Sequence, residues 1–158
     1  MSVLLHQATA LHNEGKLDEA EKLYRAVLEA DPRQPDALAL LGVLLASRKD
    51  YMQAVSFLER AIEADPLAAL FHFYLGNVLL DTNDDVHAET SFCEALARQP
   101  NFADAHYKLA FVFDKRNDLS KAVEHLCEAV QLKPDYGAAW IKLSEIYLRN
   151  GDFEKARK

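Results

Sequence analysis

Prolines recur along this chain at a fixed interval of 34 residues. The members of the series are Pro32, Pro66, Pro100 and Pro134. A constant period of roughly 20–50 residues indicates that one supersecondary unit is repeated and stacked on its neighbours, instead of enclosing a single core. The interval therefore predicts four full repeats, 1–34, 35–68, 69–102 and 103–136, and the first part of a fifth, 137–158.

The residues inside each repeat follow a helical pattern. When the first residue of a repeat is counted as position 1, position 8 is small and position 20 is alanine in every copy. The apolar residues at positions 20, 24, 27 and 28 are spaced by 4, 7 and 8 residues, which defines one face of a helix. Small side chains let two helices approach closely. Each repeat is therefore predicted to hold a helix A at about positions 2–14 and a helix B at about positions 18–31.

The breaks between the predicted helices recur as well. Position 15 is glycine, lysine or asparagine, which suits a residue of left-handed backbone conformation that closes helix A. Position 16 is aspartate in four copies and is a natural N-cap for helix B. The proline at position 32 cannot continue helix B, so that helix is predicted to end there.

The chain resembles the tetratricopeptide repeat family over its whole length. The signature residues of the fifth copy are Trp140, Leu143, Tyr147 and Ala156. Those of the second copy are Leu38, Leu41, Gly42, Leu45, Ala54 and Pro66. The resemblance implies an all-α fold, a right-handed α-α superhelix (solenoid) of antiparallel helix pairs with a 34-residue repeat. It also implies a concave groove, lined by the A helices, that binds a peptide or protein segment.

Three positions depart from the family pattern. Asp85 replaces the apolar or aromatic residue of position 17, and His72 and His106 stand where the signature has tryptophan. We expect local packing to differ at these positions while the fold is kept.

Charge and hydropathy exclude several classes of function. The net charge is −7, whereas nucleic-acid-binding domains gather lysine and arginine into a basic patch. No apolar segment is long enough to span a bilayer, so no membrane partner is predicted. The N-terminal residues lack the basic stretch of a secretory signal. We therefore expect a cytoplasmic protein.

The sequence offers no arrangement of residues typical of a catalytic or metal site. Cys93 and Cys127 both stand at position 25, and neighbouring B helices about 8–10 Å apart would hold them beyond disulfide reach. Two cysteines are too few for a zinc quartet, and the six histidines do not form a ligand set. We predict reduced thiols, no enzymatic activity, no cofactor and no metal.

The remaining face of helix A carries the prediction of function. Positions 2, 5, 6, 9, 12 and 13 are left over from helix packing, and they are mostly polar in repeat 1. In repeats 3 and 4 they include the apolar or aromatic residues Leu70, Phe73, Tyr74, Leu80, Tyr107 and Phe111. Contiguous exposed apolar surface usually marks an interaction site. The predicted partner-binding residues are Leu70, Phe73, Tyr74, Asn77, Tyr107, Lys108, Phe111 and Lys142. Among them, Asn77 is suited to hydrogen bonding a peptide backbone, and Lys108 and Lys142 form a basic row at position 6.

Other interpretations remain open at this stage. The same rings are compatible with self-association of a scaffold or with packing inside a tightly curved superhelix. Because the sequence stops within helix B of repeat 5, we expect a fragment of a longer protein. Its truncated C-terminal end is expected either to self-associate or to be mobile over residues 152–158. The array also resembles those that precede bacterial protein-modifying transferases, and would then be the substrate-recognition domain of a larger enzyme.

Overall fold

The computed structural model describes residues 3–152, and in this part of the chain it contains nine α-helices and no strand. The A helices are α1 (Val3–Asn13), α3 (Pro35–Ser47), α5 (Ala69–Asp81), α7 (Ala103–Lys115) and α9 (Gly137–Arg149). The B helices are α2 (Leu17–Ala30), α4 (Tyr51–Ala64), α6 (Asp85–Arg98) and α8 (Leu119–Leu132). The predicted all-α repeat of helix pairs is confirmed. The expectation for the C-terminal end rests on residues 153–158, which lie outside the described residues.

Each helix B ends before its proline and not at it, one residue earlier than predicted. Asp31 and Asp65, which directly precede Pro32 and Pro66, have φ values of −138° and an extended backbone. A proline ring clashes with α-helical conformations of the residue before it. The helix therefore stops at the residue before that one, as at Ala30 in the first repeat.

The turn from helix A to helix B is the same in all five copies. The residues at position 15 have positive φ values between 60° and 78°: Gly15, Lys49, Asn83, Asn117 and Gly151. In the second copy, for example, the amide of Lys49 donates to the Ala46 carbonyl at 2.9 Å, and that of Asp50 donates to the Leu45 carbonyl at 3.0 Å. These two bonds define a Schellman motif, which confirms the predicted left-handed closure of helix A.

Two of the aspartates at position 16, Asp50 and Asp118, act as N-caps of helix B. The Asp50 carboxylate accepts from the Gln53 amide at 3.2 Å, and the Asp118 carboxylate accepts from the Lys121 amide at 3.3 Å. The departure at Asp85 is accommodated, because this acidic residue begins α6 and pairs with Lys115 Nζ at 2.7 Å. A negative charge at a helix N-terminus is favourable.

The chain divides into two compact units, Met1–Asp84 and Asp85–Lys158. In the first unit each helix packs on the next, from α1 to α5, and in the second unit the same holds from α6 to α9. Within each unit, helices A and B are joined by three-residue turns, so the pairs α1–α2, α3–α4 and α7–α8 form antiparallel hairpins.

Small residues set the distance between paired helices, as predicted. Ala20, Ala54, Ala88 and Ala122, all at position 20, are fully buried. Gly42 at position 8 shows how closely two such helices approach. A Cβ atom on it would lie 2.8 Å from Leu58 Cγ and 3.1 Å from the Ala54 carbonyl oxygen. Helices α3 and α4 are therefore in contact at this point through a residue without a side chain.

A histidine replaces the signature tryptophan in repeat 4 and keeps its hydrogen bond. Trp140 Nε1 donates to the Pro134 carbonyl at 3.0 Å, and His106 Nε2 lies 3.1 Å from the Pro100 carbonyl, which can only accept. With that tautomer, His106 Nδ1 is the acceptor for His125 Nδ1, 2.9 Å away on α8. The substitution thus joins α7 to α8 through two histidines.

His125 sits between aromatic and charged neighbours in the second unit. Its ring stacks on Phe113, with centroids 5.5 Å apart and planes 6° apart. Burial, followed by the nearby charge of His106, lowers the pKa of His125, while Glu124 and Glu128 oppose that shift and Lys121 reinforces it.

Across residues 3–152, every helix is too short or too polar to cross a lipid bilayer.

Candidate functional site

The predicted partner-binding residues fall in both units, and each unit is described separately. Leu70, Phe73, Tyr74 and Asn77 lie on α5 in the first unit. Leu70 is exposed, and Phe73 and Tyr74 are half-buried with ring centroids 6.3 Å apart. The structure therefore places two adjacent aromatic rings on α5, partly open to solvent.

Two polar features accompany these rings. Burial, followed by the charge of Asp36, raises the pKa of the Tyr74 phenol. The Asn77 side-chain oxygen is buried, and in the described part of the chain no donor reaches it. A buried acceptor without a donor costs about 1–3 kcal/mol. Asn77 therefore has an unused acceptor that is shielded from solvent, and its role in orienting a peptide stays a prediction.

In repeats 1 and 2, position 5 of helix A is not open to solvent, although the sequence pattern places it on the exposed face. Leu5 and Ala39, both at position 5, are almost completely buried. At the same position Phe73 and Tyr107 are half-buried, and Ile141 is 64% exposed. Position 5 therefore changes from a packing position to a surface position along the chain.

In the second unit, Tyr107 is supported by a second tyrosine. The rings of Tyr107 and Tyr136 have centroids 5.1 Å apart, and Lys133 Nζ lies 4.8 Å from the centroid of Tyr136. Burial and a hydrogen bond to the Asp104 carboxylate raise the pKa of Tyr136. These contacts hold the Tyr107 ring in a defined orientation at the edge of α7.

Tyr107 and Phe111 line an open cavity between α7 and α9, which we call the Phe111 pocket. Its volume is about 320 Å³. Its lining residues are Tyr107, Phe111, Ala138, Ile141, Lys142 and Glu145. Phe111 is 40% exposed, which is high for a phenylalanine in a folded chain. The pocket is thus an apolar surface with charged groups on one side.

The charged side of the pocket is organised by Asp114, whose side chain is only 9% exposed. One carboxylate oxygen pairs with Lys142 Nζ at 2.7 Å, and the other pairs with Arg149. Burial of Asp114 acts to raise its pKa, but the hydrogen bonds from Lys142 and Arg149 outweigh burial and lower it. The same Asp114 hydrogen bond is the main cause of the raised pKa of Lys142. Asp114 therefore joins α9 to α7.

The two lysines of the predicted basic row have different surroundings. Lys142 pairs with Asp114, lies 3.4 Å from a Glu145 carboxylate oxygen, and has its Nζ 5.9 Å from the centre of the Phe111 ring. Lys108, at the same repeat position on α7, forms no ion pair with any residue between 3 and 152. The positive charge of Lys142 is therefore largely compensated, whereas that of Lys108 is not.

The sequence interpretation missed three contributors to the site. Ile141 stands at position 5, in register with Phe73 and Tyr107, and that register was the signal that identifies it. Asp114 and Glu145 stand at positions 12 and 9, where aspartate or glutamate reads as an ordinary solvated residue. Only the distances in the structure connect them to Lys142.

The comparison with known families identifies the repeat. A family model of the tetratricopeptide repeat matches residues 11–72 and 115–158, and a second model of the same repeat matches residues 87–136. Together these matches cover most of the chain. They confirm the family predicted from the 34-residue period.

Solved structures of similar proteins share the fold. MamA is 25% identical to this chain over 99% of this chain and 89% of that chain, with a TM-score of 0.84. YrrB, described as a TPR protein with an unusual peptide-binding site, is 20% identical over 97% of this chain and 79% of that chain, with a TM-score of 0.76. At that identity YrrB shows the fold alone.

A third structure belongs to a larger protein. The O-GlcNAc transferase of Thermobaculum terrenum is 28% identical over 81% of this chain, with a TM-score of 0.77. The match covers only 25% of the transferase chain. This likeness therefore concerns a minor part of that enzyme.

Proposed function

The chain belongs to the tetratricopeptide repeat family, and we propose that it is a protein-interaction module that binds a peptide or protein segment at the Phe111 pocket. The observation that carries the proposal is an apolar surface left open between two well-packed helices. Ile141 is 64% exposed and Phe111 is 40% exposed, and both line the same cavity of about 320 Å³. Exposed apolar area of this kind marks an interaction site.

The supports around the pocket fit this role. Tyr107 is held by Tyr136, and α9 is held to α7 by Asp114, so the lining is ordered before a partner arrives. A preorganised surface loses less conformational entropy on binding. The proposal assigns no catalytic step to these residues.

The first unit offers a separate surface for the same function. Phe73 and Tyr74 present partly open rings, and Asn77 has a buried oxygen that accepts no hydrogen bond from residues 3–152. We include these residues in the proposed binding surface, to be tested independently of the Phe111 pocket.

The test uses the full 158-residue chain and a random peptide library displayed on phage. Peptides selected on the unaltered chain are measured by fluorescence anisotropy against the Ile141→Ala and Phe111→Ala variants. Loss of an apolar anchor typically lowers affinity about tenfold or more. Val86→Ala is the matched control, because Val86 is 65% exposed in the same unit and does not line the pocket.

Thermal unfolding of each variant is recorded beside the binding data. The proposal requires that Ile141→Ala and Phe111→Ala weaken binding while melting temperatures stay close to that of Val86→Ala. It is wrong for this pocket if selected peptides bind all three variants equally. It is also wrong if binding falls only in proportion to lost stability, because Phe111 and Ile141 would then be packing residues.

A second candidate function has its own support. The likeness to part of an O-GlcNAc transferase favours a role as the substrate-recognition part of a larger, protein-modifying enzyme. Under this proposal the pocket would select the protein that the enzyme modifies. The complete gene product decides between the two, since a transferase domain in the same polypeptide is required by the second candidate and not by the first.

A further inference from the structure

The charged groups at the Phe111 pocket are not equivalent. Lys142 and Glu145 are the charged residues of its lining. The Lys142 side chain is 23% exposed and contacts Asp114 at 2.7 Å, whereas the Glu145 side chain is 57% exposed and lies at 3.4 Å from Lys142. The shorter contact with the more buried carboxylate is the stronger one, because charges interact more strongly away from water.

Hydrogen-bonding capacity points the same way. A lysine ammonium has three donors, and Lys142 directs two of them to Asp114 and Glu145. A carboxylate has about four acceptor sites, and Glu145 uses one of them, in a long contact. The pocket therefore has spare acceptors at Glu145 and few spare donors at Lys142.

A negatively charged partner is disfavoured at this position. Its carboxylate would lose water next to Glu145 and would find Lys142 already engaged with Asp114. Like charges brought together at an interface are destabilising. The net charge of the whole chain, −7, acts in the same direction by attracting cationic partners at long range.

We infer that the Phe111 pocket takes an apolar side chain of a partner segment whose adjacent residue is lysine or arginine, and that this cation pairs with Glu145. The apolar side chain contacts Phe111 and Ile141, and the cation contacts the open carboxylate oxygen beside them. The inference rests on the proposed peptide-binding function. It goes beyond the sequence interpretation, which noted the basic row of Lys108 and Lys142 and assigned no role to Glu145.

The test is a focused peptide library with a fixed central leucine and randomised residues on both sides of it. It is selected in parallel on the unaltered chain and on the Glu145→Gln, Glu145→Lys and Glu63→Gln variants. Glu63→Gln is the matched control, because it removes one carboxylate from an exposed residue of α4 in the first unit. We expect lysine and arginine to be enriched beside the leucine on the unaltered chain and on Glu63→Gln.

The Glu145 variants should change this preference and leave the leucine requirement intact. Exposed ion pairs are weak, so individual basic peptides should lose about three-fold in affinity on Glu145→Gln. Glu145→Lys should shift the enrichment to aspartate and glutamate. The preference should also shrink at high salt, because exposed charges are screened.

The possible failures are distinguishable. Leucine-dependent enrichment with no preference for basic residues, or with a preference that survives Glu145→Gln, overturns this inference and leaves the proposed function standing. Absence of any leucine-dependent enrichment, with Ile141→Ala behaving like the unaltered chain, overturns both.

Discussion

Replacing Gly42 with alanine tests the contact that sets the spacing of α3 and α4. The added Cβ would lie 2.8 Å from Leu58 Cγ and 3.1 Å from the Ala54 carbonyl oxygen. Carbon atoms in favourable contact are about 3.5–4.0 Å apart. Leu58 or the whole of α4 must therefore move by roughly 1 Å, in a place where Leu58 and Ala54 are fully buried.

The expected magnitude follows from two opposing effects. Adding a methyl group to a packed core costs about 1–3 kcal/mol, whereas exchanging glycine for alanine within a helix gains about 1 kcal/mol. Repeat 4 carries Ala110 and Leu126 at the same two positions, both buried, so a pair of these helices can accommodate both side chains. We therefore expect Gly42→Ala to lower the free energy of unfolding by about 1 kcal/mol, near the smaller end of the range.

Gly137→Ala is the matched control, since it makes the same substitution where no atom lies within 4 Å of the new Cβ. It should raise the free energy of unfolding by a few tenths of a kcal/mol, through a lower entropy of the unfolded chain. Urea unfolding followed by circular dichroism measures both, with the slope m checked for equal exposure of surface. In a Leu58→Ala background, the cost of Gly42→Ala should shrink, because the clashing Leu58 atoms are gone and only the Ala54 carbonyl contact remains. Equal stabilisation by both alanines, or an unchanged cost in that background, would refute the contact argument.

Three further predictions concern stability. His125→Phe should reduce the pH dependence of the free energy of unfolding. Burial lowers the pKa of His125, so the unfolded chain binds the proton more readily, and the stability of the unaltered chain should fall as the pH drops below about 6.5, by at most about 1.4 kcal/mol per pH unit for this group. A variant with the same slope as the unaltered chain contradicts this. Asp114→Asn should lower the free energy of unfolding by about 1–2 kcal/mol and speed hydrogen exchange in α9, because it weakens the link to Lys142. The exposed control Asp135→Asn should change stability by less than about 0.5 kcal/mol. Equal effects of the two substitutions would refute the role of Asp114. Lys49→Gly should raise the melting temperature, because Lys49 has a φ of 65° and this left-handed conformation costs a residue with a side chain about 1 kcal/mol. A lower melting temperature would contradict this reasoning.

Local features of the fold were predictable from the sequence because they depend on a few neighbouring residues. The left-handed conformation at position 15 and the aspartate caps depend on residues within one turn of the chain. The structure has both features where the sequence pattern predicts them. The same is true of the alanine contacts at position 20, which recur in every described copy. The ends of helix B were misplaced by one residue, because a proline restricts the residue before it as well as itself.

Contacts between side chains that lie far apart within one repeat were not predictable in the same way. His106 was interpreted as a packed substitute for tryptophan, but its pairing with His125 depends on a residue 19 positions away that has no signature of its own. Likewise, nothing in the sequence indicates that the ring of Tyr136, in the linker before α9, packs against that of Tyr107. Such pairs depend on distances of a few ångströms between helices, which a repeat period does not specify.

The lysine row shows how one such contact changes a functional interpretation. Lys108 and Lys142 occupy the same repeat position and carry the same charge, so the sequence favours a joint, salt-sensitive contribution to binding. In the structure Lys142 pairs with Asp114, whose side chain is only 9% exposed. Removal of the Lys142 ammonium would leave the Asp114 carboxylate with one fewer partner. Lys142→Met should therefore act on the docking of α9, through loss of a hydrogen-bonded charge pair. Lys108→Met should leave stability unchanged and alter only the salt dependence of binding, because the half-buried Lys108 forms no ion pair with residues 3–152 and its charge acts mainly through screened long-range attraction.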